Sequence, residues 1–227
     1  MGDGSFDGCD TLESISIPFV GNPANLSGDT HLGYIFGAST YSDNASKVPA
    51  TLKNVVITSD KHYIYAYAFS NCSSIESIIL ANGIDMIGSS AFKGCSSLKE
   101  IIVPDSVTSI GLSAFEGCTD LAKITIPFVG AQQGGTSNTH FEYIFGAPAA
   151  SFDGTKVPAS LKEVIITSCE SIGRDAFLKC SSIESITLPS GLKTLGQNVF
   201  NSCTSYCLNR NRAYDRRSLT FGQRCFL

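Results

Sequence analysis

The sequence predicts an α/β solenoid. Coils of similar length stack into a right-handed arc, with one parallel sheet of about seven strands on the concave face and short helical or 3₁₀ turns on the other. Three observations predict this. Cys72, Cys95 and Cys118 stand 23 residues apart, and so do Cys180 and Cys203. One phrase recurs in five copies: Ile64 to Cys72, Ile87 to Cys95, Ile110 to Cys118, Ile172 to Cys180 and Leu195 to Cys203. In each, an aliphatic is followed four residues later by a small residue, then Phe, then Cys three further on. Finally, the first aliphatics after the Cys slot, Leu12, Leu52, Ile75, Leu98, Leu121, Leu161 and Ile183, fall at intervals of 40, 23, 23, 23, 40 and 22 residues. A fixed period of this size with aliphatics at set offsets marks a leucine-rich repeat solenoid.

The strands come first in each coil. Every start opens an aliphatic-x-x-aliphatic-x-aliphatic pattern: Leu12/Ile15/Ile17, Leu52/Val55/Ile57, Ile75/Ile78/Leu80, Leu98/Ile101/Val103, Leu121/Ile124/Ile126, Leu161/Val164/Ile166 and Ile183/Ile186/Leu188. The last two aliphatics of each set alternate with one residue, which is the strand period. Strands joined by a full coil must run parallel. Pro18, Pro104, Pro127 and Pro189 close four of them at the end where a missing donor costs least.

The return leg follows. Ile84, Val107 and Leu192 precede Ile87, Ile110 and Leu195 by three residues, and Cys169 takes that slot in the 22-residue unit. Glycine turns the chain at Gly88, Gly111, Gly173 and Gly196. The small-Phe pair is expected to form a short helical or 3₁₀ turn that drives Phe69, Phe92, Phe115, Phe177 and Phe200 into the core. Each buried Phe contributes about 2–3 kcal/mol.

The 40-residue units, about 12–51 and 121–160, form a slower repeat. Phe19-Val-Gly21 matches Phe128-Val-Gly130, Thr30-His31 to Ala38 matches Thr139-His140 to Ala147, and Lys47-Val-Pro49 matches Lys156-Val-Pro158. Each insert is expected to hold a helical turn capped by Thr30 or Thr139, and the stretch 132–138 to be solvent loop. The solenoid is expected to run over residues 1–205. After Cys203 the pattern stops, and five of the six arginines lie in 210–224, so 206–227 reads as a non-repeat basic tail. The chain opens inside a repeat, at Phe6-Asp-Gly-Cys9, and reads as a piece of a longer protein.

Composition excludes several classes. Apolar residues are 43% and charged residues 16%, enough to fill a core and not the balance of a disordered chain. A net charge of −4 argues against nucleic acid as a partner. No apolar run reaches the roughly 18–20 residues that membrane insertion needs. Six of the nine cysteines, Cys9, Cys72, Cys95, Cys118, Cys180 and Cys203, share one slot that also accepts Pro49 and Pro158. Such a slot wants a small buried filler, so free buried thiols are expected. No metal site or cofactor is predicted, since no C-x-x-C pair and no nucleotide or zinc-protease motif occurs. No catalytic residues can be nominated: His31 and His140 are repeat equivalents with an expected packing role, and His62 stands alone.

The phrase Cys-x-x-Leu-x-x-Ile-x-Ile/Val-Pro-x-x-Val-x-x-Ile-Gly-x-x-Ala-Phe-x-x-Cys, most complete from Cys95 to Cys118, resembles the BspA-like or treponemal-type leucine-rich repeats of bacterial and protozoan surface proteins. The resemblance implies an extracellular or cell-surface protein with a role in adhesion. The 40-residue units depart from the short repeat of that family.

The expected binding surface is the exposed face of the sheet. Residues between the last two strand aliphatics point outward: Ser16, Val56, Ile79, Ile102, Thr125, Ile165 and Thr187. The neighbouring column, Ser14, Asn54, Ser77, Glu100, Lys123, Glu163 and Ser185, gives a polar rim. The expected contact residues are therefore Val56, Ile79, Ile102, Thr125, Ile165, Glu100, Lys123 and Glu163, binding a protein or glycan. The alternatives are an architectural spacer, in which β-branched residues merely favour strands, and a hydrolase or lyase hidden in the inserts.

Overall fold

The computed structural model describes residues 1–22, 24, 28–58, 63–148 and 153–205. The predicted basic tail and His62 lie outside them. The strands in chain order are β1 (Ser14–Ile17), β2 (Asn54–Ile57), β3 (Tyr63–Ile64), β4 (Ser77–Ile79), β5 (Met86–Ile87), β6 (Glu100–Ile102), β7 (Ser109–Ile110), β8 (Lys123–Ile126), β9 (Glu163–Ile166), β10 (Ser171–Ile172), β11 (Ser185–Thr187) and β12 (Thr194–Leu195). Seven of them form one sheet in the order β1-β2-β4-β6-β8-β9-β11, every pair parallel. This is the sheet the aliphatic pattern predicts. Each strand begins two residues after the first aliphatic, because Leu52, Ile75, Leu98, Leu121, Leu161 and Ile183 turn inward ahead of it and are fully buried.

A second ladder lies on the return leg. β3, β5 and β7 form a three-stranded parallel sheet, and β10 pairs with β12. The sequence reading places only aliphatic fillers there. The loop after β8 joins this ladder: Ile110 N–H donates to Ala131 O at 2.9 Å, and Gln133 N–H to Thr108 O at 2.9 Å.

Beyond the ladder, the small-Phe segments do not close into a helix. They run as successive turns with i→i−3 hydrogen bonds, such as Ala91 N–H to Gly88 O and Cys95 N–H to Phe92 O. Left-handed residues punctuate them at Tyr67, Ser90, Ser113, Asp175 and Asn198, with φ between 56° and 61°. This geometry frees every second N–H to bond the next coil: Ser90 to Leu112 O, Phe92 to Ala114 O and Gly94 to Glu116 O, at 2.7–3.0 Å. Successive coils are thus hydrogen-bonded along the sheet, along the return ladder and along the turns. Gly111 marks how closely they approach, since a Cβ there would lie 2.3 Å from Ser89 N.

In the long units a 3₁₀ helix replaces the turn segment. Leu32–Phe36 and Phe141–Phe145 each end on a left-handed glycine, Gly37 and Gly146. Position N-cap belongs to His31 and His140, not to Thr30 and Thr139. Neither histidine caps with its side chain, because each imidazole turns inward. His31 Nδ1 donates to Asn44 Oδ1 at 2.9 Å, and His140 Nε2 donates to Ala147 O at 2.9 Å. The same volume is filled differently in the two units. In the first, the buried Asn44 accepts Gly33 N–H at 2.9 Å and donates to Ser70 O at 2.9 Å. In the second, the residue matching Gly33 is Glu142, whose buried carboxylate accepts Gly154 N–H at 2.8 Å and Lys156 N–H at 2.9 Å.

The phenylalanines stack as the repeat predicts. Phe69–Phe92 and Phe92–Phe115 are near-parallel at 5.3 and 5.2 Å. The column passes through the second long unit by way of Phe145 and Phe141 to Phe177 and then Phe200. Beside it run buried reduced thiols at Cys72, Cys95, Cys118, Cys180 and Cys203, with Cys169 buried in the aliphatic slot of the short unit. Cys95 and Cys118 Sγ donate to Phe69 O and Phe92 O at 3.1 and 3.2 Å. Cys9 occupies the same slot but is exposed.

Candidate interaction face

The outward column of the seven-stranded sheet is in register. Ser16 pairs with Val56, Val56 with Ile79, Ile102 with Thr125, and Ile165 with both Thr125 and Thr187. Strand alternation sends the flanking residues Ile78, Ile101, Ile124 and Val164 into the core and leaves this column on the surface. Ile79 and Ile102 are 57% and 58% exposed, the two exposed large aliphatics among the described residues. Val56, Thr125 and Ile165 are half-buried. The expected apolar stripe is therefore centred on two adjacent isoleucines, with shallower shoulders.

The rim residues are brought together across β6, β8 and β9. Lys123 Nζ lies 3.6 Å from Glu100 Oε1 and 3.7 Å from Glu163 Oε1. One ammonium thus bridges two carboxylates at a partly solvated site, where such pairs contribute about 0–1 kcal/mol each. In the next column, Glu76 sits between Lys99, which hydrogen-bonds it, and Lys53 at 3.9 Å. The Lys99 hydrogen bond and charge hold the Glu76 carboxyl below its usual range. This face offers apolar contact flanked by neutralised charge. It assembles no nucleophile–base pair, and no group of three or more metal-ligating side chains occurs among the described residues. No helix there is long and apolar enough to cross a membrane.

One surface feature escapes the sequence reading. Tyr63, Tyr65 and Tyr67 crowd the return leg of one coil, and Tyr41 from the first long unit stacks on Tyr67. The available signal was Tyr65 standing where Gly88, Gly111, Gly173 and Gly196 stand in the other coils.

The parallel sheet, the repeat length and the outward strand column define a leucine-rich repeat protein, an architecture of interaction proteins. The chain belongs to the BspA type leucine rich repeat family, whose model matches six copies over residues 42–136 and 151–226. Among solved structures, a leucine-rich repeat protein from Bacteroides ovatus is 25% identical, with a TM-score of 0.49 over 91% of this chain and 44% of its own. The T. pallidum leucine rich repeat protein is 22% identical, with a TM-score of 0.41 over 68% of this chain and 78% of its own. A leucine rich cell surface protein from Faecalibacterium prausnitzii is 20% identical, with a TM-score of 0.35 over 87% of this chain and 42% of its own. The chain spans less than half the length of the first and third of these. No curated protein matches it.

Proposed function

We propose that the chain is a non-enzymatic interaction module of the cell surface or extracellular space, adhering to a host protein, cell or glycan through the outward face of the seven-stranded sheet. The observation that carries this is the exposed pair Ile79 and Ile102. A side-by-side aliphatic pair on the face of a rigid sheet loses little entropy when covered and gains apolar burial. Val56 and Ile165 extend the contact, and Thr125 adds a hydroxyl. Glu100, Lys123 and Glu163 form a rim whose mutual pairing lowers the cost of desolvating it. The surface location is what membership of a family of surface proteins implies.

The test is adhesion of the labelled chain to immobilised host-cell extract, compared with Ile79→Arg and Ile102→Arg. These side chains point away from the core, so melting should be unchanged while adhesion falls about tenfold or more, the scale of losing a central apolar contact. Unchanged adhesion in both folded variants would leave the stripe as scaffold and the chain as a spacer.

A further inference from the structure

A second surface lies on the return leg, around β3. Five coils carry the same phrase there. Where the other four place Met86, Ser109, Ser171 or Thr194, then glycine, then Ser90, Ser113, Asp175 or Asn198, this coil places Tyr63, Tyr65 and Tyr67. Tyr41 and Tyr63 are 41% and 46% exposed. The Tyr63 and Tyr65 rings are 5.8 Å apart and tilted by 49°, and the Tyr41 and Tyr67 rings stack at 4.1 Å with 12° between planes. Tyr67 also holds φ at 60°, a left-handed conformation that Asp175 and Asn198 adopt more readily and that a bulky residue rarely takes. Three aromatic replacements in one coil, one of them against backbone preference, mark a surface kept for contact rather than for folding.

The geometry selects among ligands. A quaternary ammonium needs an open box of ring faces, but Tyr41 and Tyr67 close on one another with no gap between them. A nucleic acid strand needs a cationic groove beside its stacking rings, and the chain carries net charge −4. The rings thus offer a small neutral ligand separate faces inclined to one another, with phenol hydroxyls at their edges. A hexopyranose has that chemistry: its axial C–H face carries partial positive charge toward the negative face of a phenol ring. Its hydroxyl rim can exchange hydrogen bonds with the tyrosine O–H groups. We propose that Tyr41, Tyr63, Tyr65 and Tyr67 form a binding platform for a neutral hexopyranose oligosaccharide, separate from the sheet face.

The experiment is calorimetric titration of the full chain with cellohexaose, maltohexaose and chitohexaose. At least one should bind with a sub-millimolar Kd. Tyr63→Ser combined with Tyr65→Gly installs the residues that another coil carries at Ser109 and Gly111, so the variant should fold; its affinity should fall about tenfold or more. Tyr67→Asn keeps a residue type suited to the left-handed backbone, so the variant should fold and bind more weakly. Lys193→Ala, an exposed residue outside both surfaces, should leave this binding unchanged. Absence of binding by all three hexasaccharides at millimolar concentration overturns the proposal. So does wild-type affinity in either folded tyrosine variant.

Discussion

Glu142 offers a sharp test of how the long units are built. Its carboxylate is buried, and its two oxygens accept separate backbone donors, Gly154 N–H at 2.8 Å and Lys156 N–H at 2.9 Å. Hydrogen bonds to a charged acceptor contribute about 1.5–3 kcal/mol each. Glu142→Ala removes both, for an upper bound of about 3–6 kcal/mol. The donors lie near the surface and rehydrate to some extent, so the expected loss is near the lower end, about 3 kcal/mol. For a chain of this size that corresponds to a fall in Tm of about 6–12 °C. Glu142→Gln keeps one acceptor oxygen and turns an amide N–H₂ toward the other donor, so it should lose about half as much. Melting by circular dichroism gives the magnitude, and hydrogen exchange read by mass spectrometry gives the place, with faster exchange expected at residues 154–156. A Glu142→Gln variant that melts within a degree of wild type, without local exchange, would refute the assignment of the carboxylate as the clamp. The first long unit supplies the converse. A Cβ on Gly33 would lie 2.5 Å from Asn44 Oδ1, so Gly33→Ala should be destabilising although the backbone there needs no glycine.

Three further outcomes are expected. Gly111→Ala places a Cβ 2.3 Å from Ser89 N and 2.7 Å from Gly88 C, which must push apart a pair of hydrogen-bonded coils; a loss of about 3 kcal/mol or more is expected, and denaturant unfolding within about 1 kcal/mol of wild type would contradict it. Burial raises the Cys72 and Cys95 thiols well above their usual range and pushes Cys118 up to about 12. Iodoacetamide at pH 8 should therefore modify Cys9 and spare these three until denaturant is added, and rapid native labelling of Cys95 would show that its coil opens. Burial lowers the His31 pKa, against the opposing pulls of Asn44, Asp29 and Asp43. The unfolded chain then binds the proton more readily than the folded one, so the contribution of His31 is complete above about pH 6.5 and is lost as pH falls below it. Melting followed from pH 8 to pH 5 should decline less in His31→Gln than in wild type, and parallel curves would remove His31 from the account.

The features legible in the sequence are those repeated often enough to declare a slot. Seven aliphatic sets gave the strand faces, and five small-Phe pairs gave the aromatic column. The exposure of Ile79 and Ile102 followed from strand alternation alone. The two-residue strands of the return leg were hidden because Met86-Ile87 or Ser109-Ile110 is too short to show alternation. The turn segments were read as helical because i→i−3 spacing fits both a 3₁₀ turn and a chain of β-turns. Only the left-handed φ of Ser90, Ser113 and Asn198 separates the two, and serine does not announce that conformation as glycine does. The long units were hardest, with two copies to compare. Gly33 against Glu142 and Asn44 against Asp153 look like unrelated changes until the structure shows one volume filled from opposite sides. At the candidate site the column was legible but its depth was not: Val56 and Ile165 are partly sheltered, which the period cannot reveal.

The left-handed turns that aim alternate amides at the following coil make the stack tolerant of whole-block edits. Excising residues 73–95 would join Cys72 to Ser96 and recreate the Cys-Ser-Ser sequence already present at Cys72. Every donor above the cut would then meet an acceptor below it. Removing a single residue from the same stretch would throw three ladders out of phase at once. Such a protein can lengthen or shorten its reach by duplicating or dropping coils of 23 residues, while the two long coils with their unshared clamps act as fixed landmarks along the rod.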